Sequence, residues 1–320
     1  MTTTHGTEIP DVKTLQTLVA EHPEFIIDLA ADPPDWDQIP MEHRELLRQG
    51  GQHLLGKEHL LRSLLDKILL FDDPGPSLEW LKNTGIMEHL LPELFATVNL
   101  SDESERRHKH VWDHTKQVVA QSPPDLIVRY AALFHDIGKV KTREFNETGK
   151  VTFYGHDIVG AGMFRAIARR LGLEKDKAKI LYALIKYHLR PGQYEASWTD
   201  SAVRRMGKEV GEDLWERLLD LGRADITSKR PGKREAAIRH IDELQQRLFA
   251  IREEDSRVPP LPKGLGNLIM EKAGIPPGPR LGAIIRWLEA QVEAGAILPH
   301  QPGEYYVSLL HTYPLGKEPS

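Results

Sequence analysis

Cysteine is absent from the 320 residues. That excludes disulfides, iron–sulfur clusters, a thiol nucleophile and thiolate-held zinc, so any metal must be bound by histidine and carboxylate. No apolar run reaches about 18 residues and mean hydropathy is −0.42, so no transmembrane helix is expected. The first ten residues hold neither a basic stretch nor an apolar one; a secretory signal is not expected, and the cytoplasm is the expected location. A net charge of −5 argues against tight, non-specific nucleic-acid binding by the surface as a whole, while a local basic patch remains compatible. Strand-like alternation is scarce too. Its best instance is Lys150-Val151-Thr152-Phe153-Tyr154 after Asn146-Glu147-Thr148-Gly149, a small hairpin.

What is present is helical. With 40% hydrophobic and 28% charged residues the chain has apolar mass enough for a substantial core. Pro33-Pro34, Pro74-Gly75-Pro76, Pro123-Pro124, Pro231-Gly232, Pro259-Pro260 and Pro276-Pro277-Gly278-Pro279 punctuate it. Between these breaks, Leu60, Leu61, Leu64, Leu65, Ile68 and Leu69 recur at helical spacing. So do Ile158, Ala161, Phe164, Ile167 and Ala168, and then Ile238, Ile241, Leu248 and Ile251. The fold class is all-α. Asp32-Pro33-Pro34-Asp35-Trp36-Asp37 is read as an acidic turn without chemistry.

The chemistry-bearing residues concentrate in the middle of the chain: His108-Lys109-His110 and Asp113-His114, then Phe134-His135-Asp136-Ile137-Gly138-Lys139, Tyr154-Gly155-His156-Asp157, Tyr187-His188 and Arg223-Ala224-Asp225. Apolar residues precede the His135-Asp136 doublet, which should therefore lie at the inner end of a helix. A charged pair there is costly unless it is paired or metal-bound. Imidazole nitrogen with carboxylate oxygen suits Mn, Fe, Co, Ni, Zn or Mg, one ion or two. Such ions serve hydrolysis by acidifying water and clamping phosphoryl oxygens. Asp113 and Asp157, beside ligands, are expected to orient imidazoles. The remaining histidines (His5, His22, His43, His53, His59, His89, His240, His300 and His311) are read as surface or capping residues.

In order and spacing, His114, His135-Asp136 and Asp225 resemble the H…HD…D ligand pattern of the HD superfamily of metal-dependent phosphohydrolases. The resemblance implies an HD-type helical bundle in which His114, His135, Asp136 and Asp225 hold a first metal. Asp136 would bridge to a second ion held by His156 and His188, and Lys139 would assist catalysis. Further stretches are similar to the neck, body and tail of bacterial CCA-adding tRNA nucleotidyltransferases: Lys57-Glu58-His59 to Leu91-Pro92-Glu93-Leu94, Arg223 to Arg230, and Gly274-Ile275-Pro276 to Gly282. On that likeness the chain divides into an N-terminal extension (1–50), neck- and body-like helices (51–100), an HD domain (101–235) and a C-terminal helical tail (236–320). Those enzymes carry a Gly-Ser and Asp-x-Asp metal site and a Gly-Gly…Arg-Asp motif in a catalytic head; here no Gly-Ser precedes Asp35-Trp36-Asp37 and no Arg-Asp follows Gly50-Gly51, so neither motif occurs. The likeness thus implies an HD hydrolase on an RNA-enzyme scaffold.

The activity so implied is hydrolysis of 2′,3′-cyclic phosphates and of 2′- or 3′-phosphomonoesters at RNA ends, with an RNA repair kinase, ligase or nucleotidyltransferase as partner. A small-nucleotide phosphohydrolase is the alternative enzyme, and a non-catalytic RNA-binding module the alternative of another class. Catalysis is expected of Asp136 and Lys139, and substrate contacts of His108, His110, Lys139, Arg143 and Arg190. Arg106, Arg107, Lys109, Lys141, Arg165, Arg169, Arg170, Lys186, Arg204, Arg205, Lys229 and Arg230 are candidates for a surrounding basic surface.

Overall fold

The structure, a computed structural model, describes residues 8–102, 110–147, 151–228, 230, 232–256 and 259–313. It separates into two compact units, one up to Phe249 and one from Ala250 on. The first begins with α1 (Val12–Glu21), α2 (Phe25–Leu29), α3 (Met41–Gly50), α4 (Glu58–Ile68), α5 (Gly75–Asn83), α6 (Ile86–Leu90) and α7 (Pro92–Asp102). The leucine repeat of the sequence is α4, whose Leu61, Leu64, Leu65 and Ile68 are buried along one stripe. Asp35, in the acidic turn, accepts from the Asp37 N–H and caps a short 3₁₀ turn.

The site is carried by the next elements: α8 (Val111–Gln121), α9 (Leu126–Phe134), α10 (Lys139–Thr142), α11 (His156–Arg170), α12 (Lys175–Tyr187), α13 (Asp200–Val210), α14 (Trp215–Asp225) and α15 (Lys233–Ser256). Helix α9 is the centre. It packs against α8, α12 and α14, while α11 lies along α12. Every residue from Val128 to Phe134 is buried, as befits a helix surrounded on all sides by others. Each fully buried Leu, Val or Phe side chain contributes about 1.5–3 kcal/mol. Pro123-Pro124 ends the preceding segment, and Asp125 starts α9 by accepting from the N–H groups of Ile127 (2.7 Å) and Val128 (3.2 Å).

Arg129 is 4% exposed within this core. Its guanidinium donates to the carbonyls of Leu69 (2.7 Å), Phe71, Ser122 and Pro123, tying the ends of α4 and α8 to α9. A cation at that depth is tolerable because several dipoles replace its water.

Between α10 and α11 runs the expected hairpin, β1 (Glu144–Phe145) antiparallel to β2 (Val151–Thr152), with Glu144 opposite Thr152. The turn residues Thr148, Gly149 and Lys150 lie outside the described residues. One position of the α11 repeat departs from expectation. Ala161, Phe164, Ile167 and Ala168 are buried, but Ile158 is 60% exposed, because it lies on the side of the first turn of α11 opposite buried His156.

The second unit holds the last turns of α15 with α16 (Leu265–Ala273), α17 (Pro279–Glu293) and α18 (Gly303–Ser308) around Leu265, Ile269, Ile284, Leu288 and Tyr306. Tyr306 accepts from the Gln301 N–H, and its hydroxyl lies 2.9 Å from the Leu298 carbonyl. The described residues are helical apart from one two-stranded sheet and their connections. Among them, no helix is long and apolar enough to cross a membrane.

Candidate metal centre

Five segments converge at the inner ends of the central helices. His114 sits on α8 and Asp225 is the last residue of α14. His135 caps the C-terminus of α9 with Asp136 next in the chain, His156 opens α11, and His188 caps α12. The doublet thus lies at the inner end of an apolar helix, with His135 and Asp136 only 1% and 2% exposed.

Two groups of donor atoms result, His114–His135–Asp225 and Asp136–His156–His188. In the first, His114 Nε2 lies 2.9 Å from Asp225 Oδ1 and 3.3 Å from His135 Nε2, and His135 Nε2 is 3.7 Å from Asp225 Oδ1. In the second, His156 Nε2 lies 3.3 Å from Asp136 Oδ1 and 3.2 Å from His188 Nε2, with His188 Nε2 4.0 Å from Asp136 Oδ1. Asp136 faces both groups, since its Oδ2 is 3.2 Å from His135 Nε2 and 3.6 Å from His114 Nε2. The groups adjoin across the His135 and His188 rings, whose centroids are 5.2 Å apart.

The backbone fixes the direction of these imidazoles. Nδ1 of His135, His156 and His188 donates to the carbonyls of Ala132, Phe153 and Ile185, each at 2.7 Å. A carbonyl only accepts, so each Nδ1 carries a proton and Nε2 is the atom that each ring turns inward, with a lone pair to offer whenever the ring is neutral. His114 Nδ1 is held 3.1 Å from the Thr227 hydroxyl. Two inward lone pairs 3.2 Å apart, at His156 and His188, repel unless a cation lies between them or one ring gains a second proton. Donors about 2.1 Å from a common ion stand roughly 3.0–3.4 Å apart, close to the spacings here. The donor set therefore fits a divalent ion at either group, and borderline nitrogen with hard oxygen suits the metals expected from the sequence.

Electrostatics favour a cation as well. Burial pushes the Asp136 carboxyl up, but His135 and Lys139 beside it more than offset this and hold it well below the usual carboxylate range. Burial likewise raises Asp225, whereas the His114 hydrogen bond and the His135 charge bring it down to about 2. Burial lowers His188, with His135 adding to the effect, to about 4, so its lone pair is free at neutral pH. Burial also opposes charge on His135, yet Asp136 and Asp225 raise its affinity for a proton. Buried Asp136 and partly buried Asp225, both held ionised, thus demand positive charge.

Lys139 donates to Asp136 Oδ2 at 2.6 Å and lies over the Phe153 ring. With its side chain 21% exposed and that of Asp225 28%, the centre opens on their side. The other expected contact residues are farther out or otherwise engaged. His110 is exposed at the head of α8, Arg143 lies over the Phe145 ring at 4.9 Å, and Arg190 pairs with Glu209 at 3.1 Å. His108 lies outside the described residues, as do Arg106, Arg107, Lys109 and Lys229. Of the remaining basic residues, Arg170 is paired with Glu93 and Arg165 rests on the Tyr182 ring.

The carboxylates expected to orient imidazoles do not do so. Asp113 turns outward to Lys116, and the Phe153 carbonyl, not Asp157, holds His156. Backbone carbonyls carry no residue-type signal, which is why sequence reading misplaced this role. Gly138 was also missed, although it is legible as the glycine after the doublet. A Cβ there would stand 2.0 Å from the His156 carbonyl oxygen and 2.6 Å from the Gly160 nitrogen. Glycine lets the turn after the doublet lie directly on the start of α11.

An all-α bundle with a His/Asp centre at its core is the architecture of an HD-type protein. Residues 103–230 match the HD domain. Over 254 residues the chain is 30% identical to the A-adding tRNA nucleotidyltransferase of Deinococcus radiodurans, covering 77% of this chain and 57% of that protein. It is 32% identical over 260 residues to the CC-adding tRNA nucleotidyltransferase of Thermus thermophilus, covering 78% and 56%. A shorter match, 28% over 151 residues, joins it to the multifunctional CCA protein of Neisseria gonorrhoeae. The chain spans little more than half the length of the first two relatives.

Proposed function

We propose that this chain is a metal-dependent phosphohydrolase of RNA ends, acting on 2′,3′-cyclic phosphates and on 2′- or 3′-phosphomonoesters. The observation that carries the reading is the inward pair His156 and His188 beside ionised Asp136, lone pairs facing at 3.2 Å with both Nδ1 atoms tied to carbonyls. The RNA part rests on the likeness to proteins named as tRNA nucleotidyltransferases. On the same likeness, residues 51–100 and 236–320 hold RNA and an RNA repair kinase, ligase or nucleotidyltransferase works alongside, in the cytoplasm.

His114, His135 and Asp225 would hold one ion and His156 and His188 a second, with Asp136 shared through its two oxygens. When bound, such ions supply an acidified water and Lewis-acid stabilisation of phosphoryl oxygens. The side chains do the rest. Lys139, anchored by Asp136 and reaching the open side, binds a non-bridging phosphoryl oxygen and offsets its growing negative charge. His108, His110, Arg143 and Arg190 serve as outer contacts to the substrate, Arg190 after release from Glu209. The apolar wall of α9 keeps bulk water from the inner face, which strengthens each charge interaction.

The test is metal analysis of the purified protein with a phosphoester screen at several salt concentrations. The expected result is one or two transition metals per chain, with kcat/KM highest on RNA carrying a 2′,3′-cyclic phosphate. Counterion release makes that value fall steeply with salt at sub-saturating RNA. A higher kcat/KM on a mononucleotide would assign small-nucleotide hydrolysis instead. RNA binding with neither metal nor turnover would leave a non-catalytic module, and full turnover after exhaustive chelation would overturn the metal requirement.

A further inference from the structure

Helices α11 and α12 form an antiparallel pair. Joined by the short connection 171–174, they lie along each other, and at their inner ends His156 and His188 meet at 3.2 Å. Each presents one outer face with residues at i, i+4, i+7 and i+11: Ile158, Gly162, Arg165 and Arg169 on α11, and Lys175, Lys179, Tyr182 and Lys186 on α12. All of these are exposed or half-buried, on the side away from buried Ile167 and Leu184. Arg165 brings the two faces together, its guanidinium carbon 4.4 Å from the centre of the Tyr182 ring. One turn outward from that contact stand Arg169 and Lys179. One turn inward, toward the histidines, stand Gly162 and Lys186.

Charge pairing sets this face apart from the rest of the two helices. On the sides turned to α4 and α7, Lys177 pairs with Asp66 and Arg170 with Glu93. Among the described residues, no carboxylate lies within ion-pair distance of Arg165, Arg169, Lys175, Lys179 or Lys186. Asp157 and Asp176, the acids of the two helices, stand about 100° round from the faces. Glu209, whose charge reaches Lys186, is taken up by Arg190 at 3.1 Å. These cations thus stay uncompensated on one face of a chain whose net charge is −5. Gly162 interrupts the face. A glycine inside a helix costs stability, and packing does not call for it here, since a Cβ would meet nothing within 4 Å. Its missing side chain leaves a gap one turn inward of Arg165, on the level of Lys186.

We propose that this face of α11 and α12 binds the phosphodiester backbone of an RNA strand, which lies in the gap at Gly162 with its phosphates between the cations of the two helices. The proposal deepens the phosphohydrolase reading and rests on it for RNA as the polyanion. From Lys175 to Lys186 the face runs about 16 Å, the length of roughly five nucleotides of one strand. Its inner end is the His156–His188 pair, so the bound strand and the metal centre share the same two helices.

The experiment measures binding of a fluorescent single-stranded RNA octamer to the intact chain over a range of salt concentrations. Each phosphate contact by a cation contributes about 0.7 to the slope of log Kd against log salt. Arg169→Ala combined with Lys179→Ala should lower that slope by about 1.4 and raise Kd at low salt about tenfold. Lys13→Glu on α1 changes the net charge equally and should leave the slope as it is. Gly162→Leu should raise the midpoint of thermal unfolding, leucine being the better helix former, and yet weaken RNA binding. A purely structural glycine would not give that combination. An unchanged slope in the double variant would overturn the proposal, as would an equal fall in Lys13→Glu or wild-type affinity in Gly162→Leu. Poly-glutamate bound as tightly as RNA would also overturn it, by assigning the face to an acidic protein. Binding needs no turnover. Binding at this face without hydrolysis would count against the phosphohydrolase reading alone, and hydrolysis with an unchanged slope against the face alone.

Discussion

Gly138 and His156 are in backbone contact: a Cβ built on Gly138 would come within 2.0 Å of the His156 carbonyl oxygen. The turn that follows the His135-Asp136 doublet therefore sets where α11 begins, and with it the position of one imidazole. Gly138→Ala should displace α11, costing about 1–3 kcal/mol in denaturant unfolding. It should also weaken the metal held by His156 more than the one held by His114, which a metal titration reads. Unchanged stability and unchanged titration would show that the contact relaxes freely.

Asp136→Ala should abolish phosphoester hydrolysis and leave the helical circular dichroism intact. Both oxygens of this carboxylate face imidazole nitrogens and one also receives the Lys139 ammonium. Its removal should cost on the order of 10²–10³ in kcat/KM or more, several kcal/mol of transition-state stabilisation. Near wild-type turnover in a metal-replete assay would mean that the centre lies elsewhere.

The two donor groups should titrate separately. His156→Ala or His188→Ala removes a donor only from the group on the Oδ1 side of Asp136, whereas His114→Ala removes one from the group containing Asp225. Loss of affinity at one site in His156→Ala and His188→Ala, and at the other in His114→Ala, is the expected calorimetric result. Two ions bound with unchanged affinity in His156→Ala and His188→Ala would refute the second site.

Asp125 links the acid response of the protein to the placement of the doublet. Burial raises its carboxyl, but Arg217 at 3.0 Å and the Val128 and Ile127 N–H groups more than offset this and leave it lowered. A carboxyl lowered on folding contributes stability above its unfolded value, near pH 4, and loses it as pH falls through the folded value. Asp125→Ala should cost about 1 kcal/mol at neutral pH through the lost α9 cap. Its deficit against wild type should shrink as pH drops below 4. A deficit independent of pH would assign the loss to packing instead.

Helical class and the position of the doublet were legible because both are local. Leu61, Leu64, Leu65 and Ile68 announce one buried stripe by spacing alone, and the apolar run Leu126–Phe134 leaves His135 and Asp136 only a core to enter. His114, His156, His188 and Asp225 were legible as residue types in order. Tertiary structure decided how they meet. It divided the donors into two groups with Asp136 facing both and sent Arg190 to Glu209. The reason is physical. Periodicity and burial follow from side-chain type within a few turns of chain, whereas a carbonyl is the same at every residue. The carbonyls three residues back that hold His135, His156 and His188 are local, but which imidazoles and carboxylates then face one another is settled only when the helices pack.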